Sequence, residues 1–308
     1  MKPSYLDNLR RGVLRQRTQD ALSRLAACDL CPRRCGVNRL GAEIGICRTG
    51  RNAWVSDADA HFGEEEPLVG THGSGTIFFT HCSLGCCFCQ NYDISHLGAG
   101  REVSAETLAA SMLRLQEKGC HNINLVTPSH VVPQILEALM IAAENGLRIP
   151  LVYNTSAYDR VETLALLDGI VDIYMPDFKF WDSETAGATC DAADYPEIAK
   201  AAIREMHRQV GDLTLNAEGL AVRGLLVRHL VLPENLAGTD RVMAFLANDI
   251  SKDTYVNIMN QYYPCGTASR IPALKRKITT AEFEAAIDMA RKAGIHRLDR
   301  RRRAFIVW

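Results

Sequence analysis

Thr76-Ile77-Phe78-Phe79-Thr80-His81-Cys82-Ser83-Leu84-Gly85-Cys86-Cys87-Phe88-Cys89 is the stretch that decides how this sequence folds. Its first five residues form a short apolar, β-prone run. That run passes without a break into three thiols spaced Cys82-x3-Cys86-x2-Cys89. In parallel α/β folds ligands gather at the carboxyl ends of strands, so a strand over 76–80 delivers these thiols to that end. Gly85 lets the loop bend tightly. Three thiolates on one loop can hold three irons of a cubane cluster, whose usual thiolate count is four, and so leave one iron open to a substrate. The same residues could instead bind zinc, with His81 or Cys87 as the fourth ligand, or stay buried as thiols.

Outward from this point the pattern alternates. Short apolar runs predict strands over 76–80, 123–127, 150–154, 171–175, 225–232 and 255–260. Helical periodicity predicts helices over about 104–118, 131–145, 159–168, 194–210, 239–249 and 280–293. Ser104 is placed to cap the first of these and Gly119 to end it; Thr279 with Glu282 makes a capping-box pattern for the last, closed by Gly294. Six strand–helix units predict parallel strands with right-handed crossovers. Roughly 185 residues are too few for a full eight-unit barrel, so the fold class is α/β, either a partial barrel or an open doubly wound sheet. No G-x-G-x-x-G follows a strand, which removes the fingerprint of a dinucleotide fold.

The chain has 308 residues, 47% hydrophobic and 23% charged, as expected of a globular protein with a sizeable core. Lys+Arg 35 against Asp+Glu 36 leaves a net charge of -1, which argues against binding nucleic acid by overall charge. No run reaches the roughly 18 apolar residues of a membrane span. Of 11 cysteines, eight lie at or before Cys89. An odd count in a chain this long does not suit a disulfide framework, and no secretory signal precedes the thiols, so the expected setting is cytoplasmic, with metal binding or redox chemistry for the clustered thiols. Arg10, Arg11, Arg15 and Arg17 leave an organelle transit peptide as the alternative; Asp7 and Asp20 count against it.

Upstream of the barrel, residues 4–27 have the spacing of one amphipathic helix. Cys28, Cys31, Cys35 and Cys47 follow as four thiols in a Cys/Gly/Arg-rich loop region. Their spacing fits neither common zinc pattern, and Cys31-Pro32 is like the Cys-Pro of bacterial ferredoxin runs. A second iron–sulfur cluster, a structural zinc and reduced thiols all remain open for this set. Residues 51–74, with Glu64-Glu65-Glu66-Pro67, are expected to form a solvated acidic loop. Arg297 and Arg300 to Arg303 make a basic tail, ending in an apolar stretch from Ala304 to Trp308. Cys87, Cys120, Cys190 and Cys265 have no partner pattern and are expected to be small buried hydrophobes. The expected division is a helix and Cys-rich cap over 1–70, the barrel over 71–265 and a helix with basic tail over 266–308.

Cys-x3-Cys-x2-Cys with Phe88 before the last thiol resembles the signature of the radical S-adenosyl-L-methionine (SAM) superfamily. The continuation Gln90-Asn91, the string from Gly75 to Asn91 and the block from Cys28 to Arg39 resemble the branch related to pyruvate formate-lyase activating enzyme. The resemblance covers roughly residues 28–265 and implies a partial (β/α)6 TIM-like barrel. It implies a 4Fe-4S cluster on Cys82, Cys86 and Cys89, with SAM chelating the open iron. Reductive cleavage to a 5′-deoxyadenosyl radical, hydrogen abstraction and a reducing donor such as flavodoxin or ferredoxin follow from it; the target would be a glycyl radical enzyme or another peptide or small molecule, and the alternative to an enzyme is an iron–sulfur or zinc protein acting as electron carrier or scaffold. Phe88, Asn154, Asp177 and Lys179 are the implied cofactor-binding residues. Asp177-Phe178-Lys179 matches the branch's Asp-x-Lys, and a lysine ammonium suits the SAM carboxylate. Two departures stand out. Asn124 to His130 lacks the branch's Gly-Gly-Glu, and Asn154-Thr155-Ser156-Ala157 stands where it carries Asp-Thr-Asn-Gly. Arg228-His229 lies in the fifth strand, so one of the two should point inward, and Gln261 to Pro264, ending the sixth, either line the substrate side or, as is commoner, pack as ordinary aromatics.

Overall fold

The computed structural model describes residues 2–41 and 43–299. Two short helices come first, α1 (Tyr5–Arg10) and α2 (Val13–Ser23), parted by Gly12 at a φ of +75°. The expected single helix over 4–27 is therefore broken, because glycine takes the left-handed conformation at little cost and the chain turns there. α1 docks under the sheet: Ser4 N donates to Asp172 Oδ1 at 2.8 Å and Tyr5 Oη to the Ile149 carbonyl at 3.0 Å.

Strand β1 (Ala53–His61), helix α3 (Glu66–Val69), strand β2 (Ser74–Phe79), helix α4 (Tyr92–Ser95) and strand β3 (Arg101–Val103) lead into the repeating part. There α5 (Ala105–Glu117), β4 (Ile123–Val126), α6 (Val132–Glu144), β5 (Leu151–Thr155), α7 (Val161–Leu164) and β6 (Ile173–Pro176) follow in order. Helices α8 (Ser183–Cys190) and α9 (Tyr195–Val210) precede strands β7 (Thr214–Leu215) and β8 (Ala221–Leu230); α10 (Thr239–Phe245), β9 (Tyr255–Met259) and α11 (Thr280–Ala293) complete the described chain.

The six predicted strands are β2, β4, β5, β6, β8 and β9, and all five pairings between them are parallel. Among the described residues the sheet does not close: β9 pairs β8 and is not hydrogen-bonded to β2. This is an open partial barrel rather than a doubly wound sheet, because the order of the parallel strands never reverses. β5 and β6 are buried at every residue, as parallel strands covered on both faces must be. Two antiparallel strands fall in or next to segments expected to be loops. β1 runs antiparallel to β2, with a register shift between Val55 and Asp57, and β3 runs antiparallel to β1. The largest apolar cluster runs from Tyr5 to Ile295, so both terminal helical regions share the barrel's packing. The basic run from Arg300 and the tail to Trp308 lie outside the described residues. No helix among the described residues is long and apolar enough to cross a membrane.

Candidate functional site

β2 ends at Phe79 and the thiol loop begins three residues later, at the carboxyl end of the strand. His81 and Gly85 take positive φ, +70° and +66°, which curls the loop back on itself, and Cys89 N donates to the Cys86 carbonyl at 3.1 Å. The loop is gripped from three sides. Cys87 N donates to Thr189 O at the end of α8 (2.8 Å), Thr267 N donates to Cys87 O (2.8 Å), and Arg33 Nε reaches back from the Cys-rich segment to Ser83 O (3.0 Å). Arg33 Nη2 also donates to the carbonyls of Leu84 and Cys190. Phe88 is buried and wedged edge-on between Phe180 (5.9 Å) and Tyr262 (5.8 Å), which fixes the turn on which Cys86 and Cys89 ride.

Cys82, Cys86 and Cys89 line one cavity of about 850 Å³ with Phe88, Asn154, Asp177, Lys179 and Arg228. The structure thus brings together every residue the sequence proposed for the cluster and its cofactor. Burial, then the neighbouring Cys86, pushes the Cys82 thiol up to about 12, and burial raises Cys89. The Cys190 thiol and burial raise Cys86. Left to themselves these sulfurs stay protonated, and only a metal that binds thiolate draws the protons off. No three His, Cys, Asp or Glu side chains among the described residues already stand as a metal cage. The thiols instead hold local partners, Leu84 N on Cys82 Sγ (3.4 Å), Cys190 on Cys86 and Ser95 on Cys89. The donor set nonetheless fits a thiolate-bound cluster: three soft ligands on one tight loop, facing one cavity, with Lys179 beside them.

Across the cavity lies a charged array. Lys179 Nζ donates to Asp177 Oδ2 (2.7 Å), Arg228 Nε to Asp177 Oδ1 (2.7 Å) and Arg228 Nη2 to Asn154 Oδ1 (2.7 Å). The Asp177–Lys179 pair is therefore no exposed surface ion pair; its side chains are only 14% and 17% exposed. Burial alone would raise the Asp177 carboxyl, but Arg228 and Lys179 outweigh it and hold the group below the ordinary carboxylate range. Arg228 is the inward member of its pair. His229 points the other way, bonding Phe178 O (2.7 Å) and Thr239 Oγ1 (2.9 Å) as a structural histidine.

Two findings correct the sequence reading. Glu64 and Glu65 do not form a solvated acidic loop; they are 7% and 4% exposed and line the cavity. Glu64 Oε2 and Glu65 Oε1 stand 3.8 and 3.9 Å from Arg228 Nη1, and Asn257 Nδ2 donates to Glu65 Oε1 at 2.8 Å. Burial, with Glu64 alongside, keeps Glu65 above the ordinary range, while Glu64 is held below it by His61 and Arg228 against its own burial. Cys87 and Cys265 are half-buried rather than buried, whereas Cys190 is buried as expected and also contacts the cluster-loop thiol Cys86. The departures from the branch pattern lie where β4 and β5 end. Thr127, at the end of β4, lines the cavity with a φ of +62°. Ala157 sits at φ +61°, where the resembled motif has glycine, and Asn154 is engaged by a guanidinium. Gln261 lines the cavity, Tyr262 is buried with its Oη on Leu274 O (2.7 Å), and Tyr263 is exposed.

With this geometry in view, the comparisons with known proteins agree. The family model of the radical SAM superfamily matches residues 76–219. An uncharacterized protein of Methanocaldococcus jannaschii is 30% identical over 297 residues, covering 94% of this chain and 82% of that one. A radical SAM methyltransferase from Sphaerobacter thermophilus is similar in structure, with a TM-score of 0.50 at 17% identity over 74% of this chain and 67% of that one. The FeFe-hydrogenase maturase HydG is similar at a TM-score of 0.50 and 12% identity, over 96% of this chain and 67% of that one. These two structures share the fold. The chain belongs to the radical SAM superfamily, whose members use an iron–sulfur cluster and S-adenosyl-L-methionine.

Proposed function

We propose that this chain is a hydrogen-abstracting enzyme of the branch related to pyruvate formate-lyase activating enzyme, with Cys82, Cys86 and Cys89 as the cluster ligands. The supporting observation is the single cavity that joins these three thiols to Lys179, Asp177 and Asn154. A cluster held by Cys82, Cys86 and Cys89 would supply the one-electron reduction that cleaves S-adenosyl-L-methionine. The chain's own groups bind and orient. Lys179 exchanges part of its bond to Asp177 for the SAM carboxylate, a charge-assisted contact worth more than a neutral one. Asp177 and Asn154 accept from the amino or ribose groups, held in place by Arg228. Phe88 stiffens the loop under them and helps shield the site from water. A small reducing protein, flavodoxin or ferredoxin, is the proposed electron donor. Cys28, Cys31, Cys35 and Cys47 are the proposed ligands of a second metal, an iron–sulfur cluster or zinc.

The proposed target is a glycyl radical enzyme. A second reading, a small polar molecule, is favoured by the Glu64–Glu65–Arg228 floor of the cavity, which offers charged groups deep inside the barrel. Electron paramagnetic resonance of the cluster-replete, reduced protein mixed with SAM and candidate glycyl radical enzymes separates the two. A glycyl doublet on a partner is the expected result. Steady deoxyadenosine formation with no doublet on any candidate contradicts the first reading and favours the second.

A further inference from the structure

Arg39 is completely buried. Its Nε donates to Gly50 O (3.1 Å) and its Nη1 to His130 O (2.8 Å); Nη1 also lies 3.7 Å from Cys28 Sγ, and Nη2 has no partner. Among the described residues no carboxylate bonds to it. A guanidinium does not give up its proton in a protein, and a buried charge without a counter-ion is strongly unfavourable. The ionisable groups it faces are the Cys28 and Cys47 thiols and the ring of His130. That ring is neutral, held down to about 3 by burial and by Arg39 itself, so it supplies no negative charge.

The segment around Arg39 lacks the usual means of holding a shape. From Cys28 to Gly50 there is no helix or strand among the described residues, and Leu40, Ile44 and Ile46 are exposed. Yet Cys28, Cys31 and Cys47 are 3%, 6% and 5% exposed. Gly36 N donates to Cys28 O and Cys28 N to Val37 O, both at 2.9 Å, folding the third thiol's turn onto the first. Cys35 Sγ fills the space where a side chain on Gly45 would stand, which brings it to the strand of chain that carries Cys47. Small loop-rich segments of this kind are ordered by metals in reducing surroundings.

We propose that Cys28, Cys31, Cys35 and Cys47 form a closed tetrathiolate metal centre whose excess negative charge is partly balanced by Arg39. The proposal rests on the second-metal reading above and is independent of the target of the radical chemistry. Either occupant gives the same electrostatics. A divalent zinc and an oxidised four-iron core each carry two positive charges, so four thiolates leave a dianion in both cases. Arg39 offsets one of those two charges and offers an N–H to a ligand sulfur, the kind of outer contact that tunes a metal site.

The test uses the full chain with Cys82, Cys86 and Cys89 all changed to alanine, purified without air, so that only the N-terminal set can bind metal. Elemental analysis should find about one zinc or about four irons per chain, and the ratio identifies the occupant. No metal, with the four thiols titrating freely, overturns the metal reading itself. On that background Arg39→Gln should lose metal to a chelator at about 10–100-fold lower chelator concentration, and Arg39→Lys should recover part of the loss by restoring charge without the fork. Equal retention by Arg39→Gln overturns the role of Arg39 while leaving the metal site standing. If the triple variant does not fold, total metal on the unmodified chain decides: about eight irons, or about four irons with one zinc, supports the centre, and about four irons alone contradicts it.

Discussion

At Arg228 one side chain holds four others: Asp177, Asn154, Glu64 and Glu65 all lie within bonding or ion-pair reach of it. Removing one partner of a buried charge network strands the rest, so Arg228→Leu should cost about 3–5 kcal/mol in urea unfolding; a loss below about 1 kcal/mol would mean the network is not what holds the floor. Lys179→Met should leave iron content unchanged and weaken SAM binding by about tenfold or more, the worth of a hydrogen bond to a charged group. Equilibrium dialysis checks this, and unchanged SAM affinity removes Lys179 from the proposed site. His229 is held neutral, burial lowering it from 6.5 to about 4. The unfolded chain then takes up the proton first, so this residue's contribution is intact above its ordinary pKa and declines as pH falls from about 6.5 towards about 4, by up to about 1.4 kcal/mol per pH unit. His229→Gln should flatten that part of the stability profile between pH 7 and 5. The thiols, Lys179 and Asp177 were legible because their spacing is local and chemically narrow. Glu64 and Glu65 were not, because acidic runs usually face water; the arginine that lets them be buried sits on a strand far along the chain.

Among the elements, strands β2, β4, β5, β6, β8 and β9 were legible as continuous apolar runs because both their faces are covered. β1 was hidden by its polar, half-exposed composition. Asp57 and Asp59 face outward along it, and the register shift after Val55 breaks the alternation that marks a strand. α8 was missed because SETAGATC carries almost no apolar periodicity; what starts it is the Asp182 cap on Thr185 N (2.8 Å). The last helix was legible from its caps. Thr279 accepts from Glu282 N, Glu282 accepts from Thr279 N, and Arg276 and the backbone bonds hold the Glu282 carboxyl below its usual range. Thr279→Ala should cost about 1 kcal/mol. Because the folded-state pKa of Glu282 is the lower one, its contribution is present above the ordinary glutamate value and fades as pH falls below it. Strand β8 carries a stronger constraint. Gly224 has φ +125°, and a side chain there would run into the Asp212 carbonyl and Leu213. Gly224→Ala should therefore destabilise the β6–β8 pairing well beyond an ordinary surface change. A stability within about 0.5 kcal/mol of the parent would contradict that conformation.

For the whole molecule, the Cys-rich segment and the barrel are mechanically linked. Arg33 bonds the carbonyls of Ser83, Leu84 and Cys190, and Arg39 bonds His130, whose Nε2 meets Thr80 O (3.0 Å) just before the thiol loop. The number of strand–helix units narrowed the fold to a partial barrel or an open doubly wound sheet, and the resemblance pointed to the barrel; this linkage was not legible, since neither arginine stands out in a run of similar residues. The account's central claim is that the loop from Cys82 to Cys89 carries the reactive cluster. Its most direct test is to reduce the cluster-replete full chain with dithionite under argon, add S-adenosyl-L-methionine, and quantify 5′-deoxyadenosine beside the Cys86→Ala variant. The account predicts product from the parent chain and none above background from the variant. Product formed equally by Cys86→Ala, or none formed by a parent chain with its full iron content, would contradict it.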